Sequence, residues 1–557
     1  MPLKPIYKRA PLLPLQHSIL NPGQVVTADS NAVNLYQLCC KHDSIPSLLE
    51  GTFGLCCLTQ KNPMSKPIVQ SILAYLDCLD QTCDMELSFG EQLAIARAAL
   101  LLFEFNGERA IITRLLNWCA RIEKQWDALI SDSAIRQHPA DMMEFLVRTY
   151  RLTGSKGLLR LCTRLRAQSM DWTSILQTFD QKRGLKKQIQ YQELMNNISQ
   201  EAGEDETAFY TRLYLTNVAS NYADGVRYST FASEFSGNGQ ETSAGEHGWE
   251  TAKKYHGAVC GGTTADTVFQ GQGSNRAIDT VSSAAWCEAL CRLYLQTSKA
   301  VLLKDIANLA FNAIPAVIDN EGIREYQAVN VLSDQVPCYI VADSHQHDIE
   351  CLSRLSRAVD ILWRTAVTEK ETGLCFNLML PGHYAIRLNG VPCMLTVEDH
   401  NIQVKLKNEI HASIFFASSR DLDLSVSGES AFRVNAGSRV QLERNWRKEE
   451  TITITENELV HTTEGHHHSV CVRKGNLLYA LKADVNDFAW AMVGEPTEKE
   501  GKVYGQFRKV KSWDLKEGHP ANVAIFPETE GQTVEKELLP YAELKSKITV
   551  FPRGKDN

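Results

Sequence analysis

The apolar period of this chain changes once, near residue 370, and that switch limits the folds open to it. Before it, apolar residues recur at helical spacing; after it, they alternate or run β-branched. "EQLAIARAALLLFEF" (91–105) is built from strong helix formers and stops at Asn106-Gly107, a turn signal. "ERAIITRLLNWCARIEKQW" (108–126), "ADMMEFLVRTYRLTG" (140–154), "DETAFYTRLYLTNVASNYADG" (205–225), "VSSAAWCEALCRLYLQT" (281–297) and "VLLKDIANLAFNAI" (301–314) continue the pattern. Trp286, Ala289, Leu290, Leu293 and Tyr294 form one apolar stripe at i, i+3, i+4, i+7 and i+8, which predicts a core-facing helix. Helices in pairs over more than 300 residues suggest an α/α solenoid or a closed α/α barrel; without a visible repeat, periodicity does not choose between them. From about 375, "NIQVKL", "DLDLSV", "TITIT" and "SVCVRKGNLLYALKADV" read as strands of one or two β-sandwiches.

At 557 residues the chain is too long for one ordinary core. A net charge of −8 argues against a nucleic-acid partner, which would call for a basic face. The N-terminal stretch, broken by prolines at 2, 5, 11 and 14, holds no signal-type apolar run, and no stretch reads as a membrane span. Sixteen cysteines without a C-x-x-C pair fit free, mostly buried thiols in a reducing, cytoplasmic setting. "GNGQETSAGEHGW" (237–249) is Gly-rich but lacks the lysine of a phosphate loop, and no G-x-G-x-x-G follows a strand, so a nucleotide site is not expected.

Several strings resemble one family in consistent order over about 90–490. They are "HGAVCGGTTADTVF" (256–269), "RAIDTVSSAAW" (276–286), "IANLAFNAIPA" (306–316), "EYQAVNVL" (325–332) and "ECLSRLSRAVDILW" (350–363), with "RVQLERNWRKEETITI" and "SVCVRKGNLLYALK" in the β region. The family is the β-L-arabinofuranosidase-like glycoside hydrolases (family 127, DUF1680). The resemblance implies an (α/α)6 barrel followed by β-sandwich domains, with the site in the barrel mouth. The expected division is an extended segment 1–30, a barrel over 31–372 and a β region over 373–557.

The resemblance also implies chemistry that this chain has altered. The family's acid, a Glu after S-A-D, falls on Thr267, and a threonine cannot deliver a proton near neutral pH. The family's zinc-binding Glu and first Cys fall on Asp279 and Val281, and its C-C pair falls on Cys351 and Leu352. One thiolate and a shortened carboxylate are too few for a site that wants about four ligands. No metal or other cofactor is therefore expected.

Other candidates surround these. His256 sits in the H-G string, as a cavity-facing group or a satisfied buried one; Asp266 and Gln270 flank the lost acid; Tyr326 and Gln327 resemble a Q-Y element able to bond a ligand carbonyl or hydroxyl. His345, His347, Glu350 and Cys351 stand close enough to form a rebuilt metal site, or only a polar loop capped by Asp348. "GHHH" (465–468) reads as an exposed turn, and Trp286 and Trp363 as core packing.

The functional expectation is a retained scaffold reused for a cofactor-independent cyclase, isomerase or pericyclase on a small apolar intermediate. His256, Gln270, Tyr326, Asp279 and Cys351 are its candidate reactive groups; Asp266, Thr267, Val281, Gln327 and Leu352 are its candidate walls. The alternatives are a residual glycosidase, with Asp266 or Asp279 as acid and Cys351 as nucleophile, and a sugar-binding protein without turnover. A small-molecule partner is expected, with neither nucleic acid nor membrane; oligomeric state is left open.

Overall fold

The computed structural model describes residues 13–14, 27–42, 45–59, 62–80, 87–129, 139–178, 181–182, 215–273, 276–318, 322–328, 330, 346–370, 373–398, 400–429, 431–455, 459–465, 468–483, 490–512, 526–545 and 547–554. The helices are α1 (Thr27–Cys40), α2 (Leu49–Thr59), α3 (Pro67–Asp80), α4 (Phe89–Asn106), α5 (Arg109–Leu129), α6 (Ala140–Thr153), α7 (Lys156–Gln168), α8 (Trp172–Thr178), α9 (Ala219–Ser236), α10 (Gly239–His256), α11 (Thr280–Thr297), α12 (Leu303–Asn308) and α13 (Gln346–Ala366). Six of them close a ring: α2 packs on α4, α4 on α6, α6 on α9, α9 on α11, α11 on α13, and α13 returns to α2. The others lie outside, α1 against α2 and α13, α3 against α4, α5 against α3 and α4, α7 against α6, and α10 against α9. This is an (α/α)6 barrel, which decides the question that periodicity left open.

Local chemistry sets the helix ends. Ser88 and Glu91 form a reciprocal capping box at the start of α4, and Gly107 ends it in the left-handed conformation. Inner helices are covered on two sides, so an amphipathic stripe is a poor guide to them. In α9 every residue from Ala219 to Ser233 is buried, polar ones included. The sequence pattern ended this helix early and missed its neighbour: helix runs past 225 to Ser236, and the Gly-rich stretch 237–249 falls largely inside α10. Residues 205–214 lie outside the described set.

Helix gives way to strand at Ala366/Val367. The first sandwich joins β1 (Leu13–Pro14), β6 (Val367–Lys370), β7 (Gly373–Phe376), β11 (Ile410–Ala417) and β14 (Arg439–Trp446) in one sheet. Its second sheet runs β13 (Phe432–Val434), β12 (Leu422–Val426), β15 (Glu449–Thr455), β10 (Asn401–Leu406), β9 (Val391–Val397) and β8 (Gly382–Leu388). These sheets share one apolar core with the barrel. A third sheet, of β16 (His461–Glu464), β17 (Val470–Lys474), β18 (Leu477–Lys482), β22 (Glu528–Pro540), β21 (Lys502–Ser512) and β19 (Trp490–Met492), has its own.

Fourteen cysteines are described, twelve of them buried. Among the described residues one apolar segment, Ala300–Val317, is long enough to span a membrane by length and composition, against the expectation that no stretch reads as a span. It is two-thirds buried and broken into 3-10, α and π turns, as suits a core element.

Candidate active site at the barrel mouth

A small sheet closes one end of the barrel. It consists of β2 (Ala265–Asp266), β3 (Val268–Phe269), β4 (Ala277–Asp279) and β5 (Tyr326–Ala328), in the order β3-β2-β4-β5. β4 runs straight into α11, and Val218, just before α9, bridges to Val268. The sheet therefore sits at the N-terminal ends of two inner helices.

It brings the candidates around Thr267 together. Thr267, at the family's acid position, occupies the β2–β3 turn with φ 66, a left-handed conformation that a β-branched residue rarely takes. Its N–H donates to Asp279 Oδ2 at 3.2 Å. Asp279 is the N-cap of α11: Ser282 N donates to Oδ1 at 2.5 Å and Ser282 Oγ to Oδ2 at 2.8 Å. Burial nonetheless outweighs these bonds and raises its pKa to about 6. Tyr326 pairs with Asp279 across β4–β5. Burial, and the carboxylates of Glu325, Asp266 and Asp279, push its phenol well above the usual range, so it stays a hydrogen-bond donor. Asp266 and Gln270 are half-buried beside the turn.

Two candidates are already engaged elsewhere. The ring of His256 ends α10 fully buried, stacked 4.4 Å from Phe269. Gly271 N donates to its Nδ1 at 2.9 Å, which places its proton on Nε2, 2.5 Å from the Gln181 carbonyl. Burial lowers its pKa to about 4. Gln327 donates to the Ala313 carbonyl at 3.0 Å and accepts from Tyr541 Oη at 2.7 Å, which ties the mouth to the C-terminal region. Val281, Cys351 and Leu352 are buried at the starts of α11 and α13. Trp286 is core, its indole N–H donating to Thr263 Oγ1 at 3.0 Å, and Trp363 packs beside Tyr384.

These residues do not fit the family's zinc. Asp279 spends both oxygens on the helix start, and Val281 and Leu352 offer no donor atom. Among the described residues no three His, Cys, Asp or Glu side chains could hold a metal. His345 lies outside the described residues, as does the side chain of His347; α13 begins at Gln346, ahead of Asp348. In "GHHH", His466 and His467 lie outside them too, while His468 takes a turn conformation with φ 57.

Below the mouth, sequence reasoning missed the main feature, a buried ionic network carried by all six inner helices. Arg97, Arg148, Arg227, Arg292, Arg354 and Arg357 meet Glu50, Glu104, Asp141, Glu144, Asp224 and Glu288. Arg227 alone reaches Asp141 and Asp224 at 2.5 and 2.8 Å and Glu144 and Glu288 at 3.0 and 2.8 Å. Its arginines hold Asp141, Glu144 and Asp224 below the usual carboxylate range. The signal was there in "ADMMEFLVRTYR" and "ECLSRLSRAVDILWR", where charges recur every three or four residues on apolar helices. Such a stripe ordinarily faces solvent; here it faces the lumen.

Solved structures share this architecture along the whole chain. A glycoside hydrolase superposes with a TM-score of 0.71 at 14% identity, covering 98% of each chain. The family 127 β-L-arabinofuranosidase of Geobacillus stearothermophilus T6 gives 0.63 at 12%, covering 95% of each, and another family 127 β-arabinofuranosidase gives 0.65 at 12%, covering 98% of each. No protein-family model and no curated protein matches the sequence. The chain thus has the fold of the family 127 glycoside hydrolases, an (α/α)6 barrel with appended β-sandwiches.

Proposed function

We propose that this scaffold serves a cofactor-independent cyclase or isomerase, of pericyclase type, acting on a small, largely apolar biosynthetic intermediate in the cytoplasm. One observation carries the reading: the acid position holds Thr267, and the carboxylate beside it, Asp279, is committed to starting α11. Hydrolysis of a glycoside needs a proton donor and a nucleophile or base across the scissile bond. A ring closure through a cyclic transition state needs a held conformer and a donor on an activating carbonyl, and well-oriented reactants can gain about 7–11 kcal/mol from placement alone. Tyr326, kept protonated, is the donor in this reading, and Val281 and Leu352 are the apolar residues at the helix starts. The mostly buried cysteines suit a reducing compartment.

The test is a panel of diene–enone compounds that cyclise slowly unaided, scored by the enantiomeric excess of the product. An enantio-enriched product, with kcat/KM cut about tenfold or more by Tyr326→Phe, is expected. Racemic product at the background rate throughout the panel would end the proposal. Turnover of aryl arabinofuranosides that Cys351→Ala abolishes would replace it with a hydrolase.

A further inference from the structure

The ionic network is not closed at its upper edge. Asp141 lies at the start of α6, within the ring of inner helices, yet 31% of its side chain is open. Its carboxylate is therefore not wholly enclosed by the helices around it. Oδ1 is held by Arg97 and by Arg227, but Oδ2 meets Arg357 Nη1 only at 3.4 Å. Arg357 is the loosest member. Every other arginine of the network has a carboxylate oxygen within 3.0 Å, whereas Arg357 reaches Asp141 at 3.4 Å and Glu288 at 3.7 Å. Its Nε is buried without a hydrogen-bond partner among the described residues, as are those of Arg97, Arg227 and Arg292; what sets Arg357 apart is its long ion pairs together with the 11% of its side chain that remains open. A guanidinium has five donors to satisfy, and a buried unmet donor costs about 1–3 kcal/mol.

We infer that Arg357 and Asp141 form a polar anchor for the ligand, taking a neutral hydroxy-carbonyl headgroup. Arg357 donates to the carbonyl, and Asp141 Oδ2 accepts from the adjacent hydroxyl. Charge decides between a neutral group and an anion. The six arginines of the network face six carboxylates. A ligand carboxylate would add an uncompensated buried charge, which is strongly unfavourable; a donor–acceptor pair adds none. This assignment deepens the proposed function and rests on it: the substrate is an apolar skeleton carrying a hydroxy-ketone or its enol, and Arg357 is a second donor able to activate that carbonyl.

Calorimetry on the full-length protein tests it with three probes: α-hydroxyacetophenone, acetophenone and benzoate. The hydroxy-ketone is expected to bind about tenfold or more tightly than the ketone without the hydroxyl and than the anion, a difference of about 1.4 kcal/mol or more. Asp141→Asn should erase the advantage over acetophenone. Arg357→Lys keeps the charge without the planar fork and should weaken hydroxy-ketone binding about fivefold or more; it also serves if Arg357→Gln does not fold. Equal binding of all three probes by the wild type, tighter binding of benzoate, or a preference unchanged in both variants would overturn the inference. If the preference is present but the diene–enone panel stays racemic, the anchor stands and the cyclase reading falls.

Discussion

Asp279 is pulled two ways: burial opposes its charge, while Ser282 and Thr267 donate to it. Burial prevails, and the folded carboxyl titrates near 6, above its ordinary value. The folded state therefore holds a proton between about pH 4 and 6 that the unfolded chain has lost, and stability falls as pH rises through that window. Asn can cap the helix without ionising. Wild type should lose about 2 kcal/mol relative to Asp279→Asn between pH 4 and 6.5, measured by denaturant unfolding at each pH. A flat difference would mean that Asp279 is not held protonated. His256 runs the other way. Its folded pKa of about 4 lies below the unfolded value, so its contribution is intact above pH 6.5 and lost as pH falls toward 4. His256→Gln should remove that acid-side loss, about 3 kcal/mol by the same measurement.

At the scale of elements, the ring closes where α13 meets α2, and two glycines make this possible. A Cβ at Gly51 would lie 1.9 Å from Ser356 Oγ and 3.1 Å from Arg357 N; one at Gly54 would strike Asp360. Alanine is the better helix former by about 1 kcal/mol, but overpacking here costs about 1–3 kcal/mol and must shift backbone, so Gly51→Ala should destabilise. Gly90→Ala in α4, which meets nothing within 4 Å, should stabilise by about 0.5–1 kcal/mol. Paired melting curves check both signs. Elements like these also show what the sequence could and could not reveal. The stripe from Trp286 to Tyr294 is fully buried, because α11 has apolar neighbours on the faces the stripe marks. In contrast α9, "ASNYADGVRYSTFASEFS", buries Asp224 and Arg227 in the ionic network of the lumen and Ser229 against α10, so its polar residues imitate a loop. Asp279, Thr267 and Tyr326 were legible as neighbours through the family strings, and the short sheet joins them. Arg357 and Asp141 were not: their contact spans 216 residues, and a charge on an amphipathic helix reads as solvated until the ring is closed.

At the scale of the whole molecule, the C-terminal region holds the barrel mouth in place. Arg473 in β17 donates to Asn308 Oδ1 and to the Val259 carbonyl; Asn312 Oδ1 accepts from Leu478 N; Asn330 Oδ1 accepts from Thr549 N and Val550 N. Tyr541, fully buried, reaches Gln327 Oε1 and the Ala328 carbonyl, the strand β5 that carries Tyr326. The β region is thus part of the site's support through Tyr541, whose bonds land on β5, while Arg473 and Leu478 brace the helical segment 303–313. Tyr541→Phe keeps the ring and deletes both bonds, leaving two buried acceptors unmet, a loss of about 1–3 kcal/mol. That loss should appear in hydrogen exchange as faster exchange at 326–328 and 277–279, which pair in β4–β5, while amides of α4 and α6 keep their rates. If the mouth residues exchange as in wild type and only 528–548 loosens, the C-terminal region folds beside the site without positioning it.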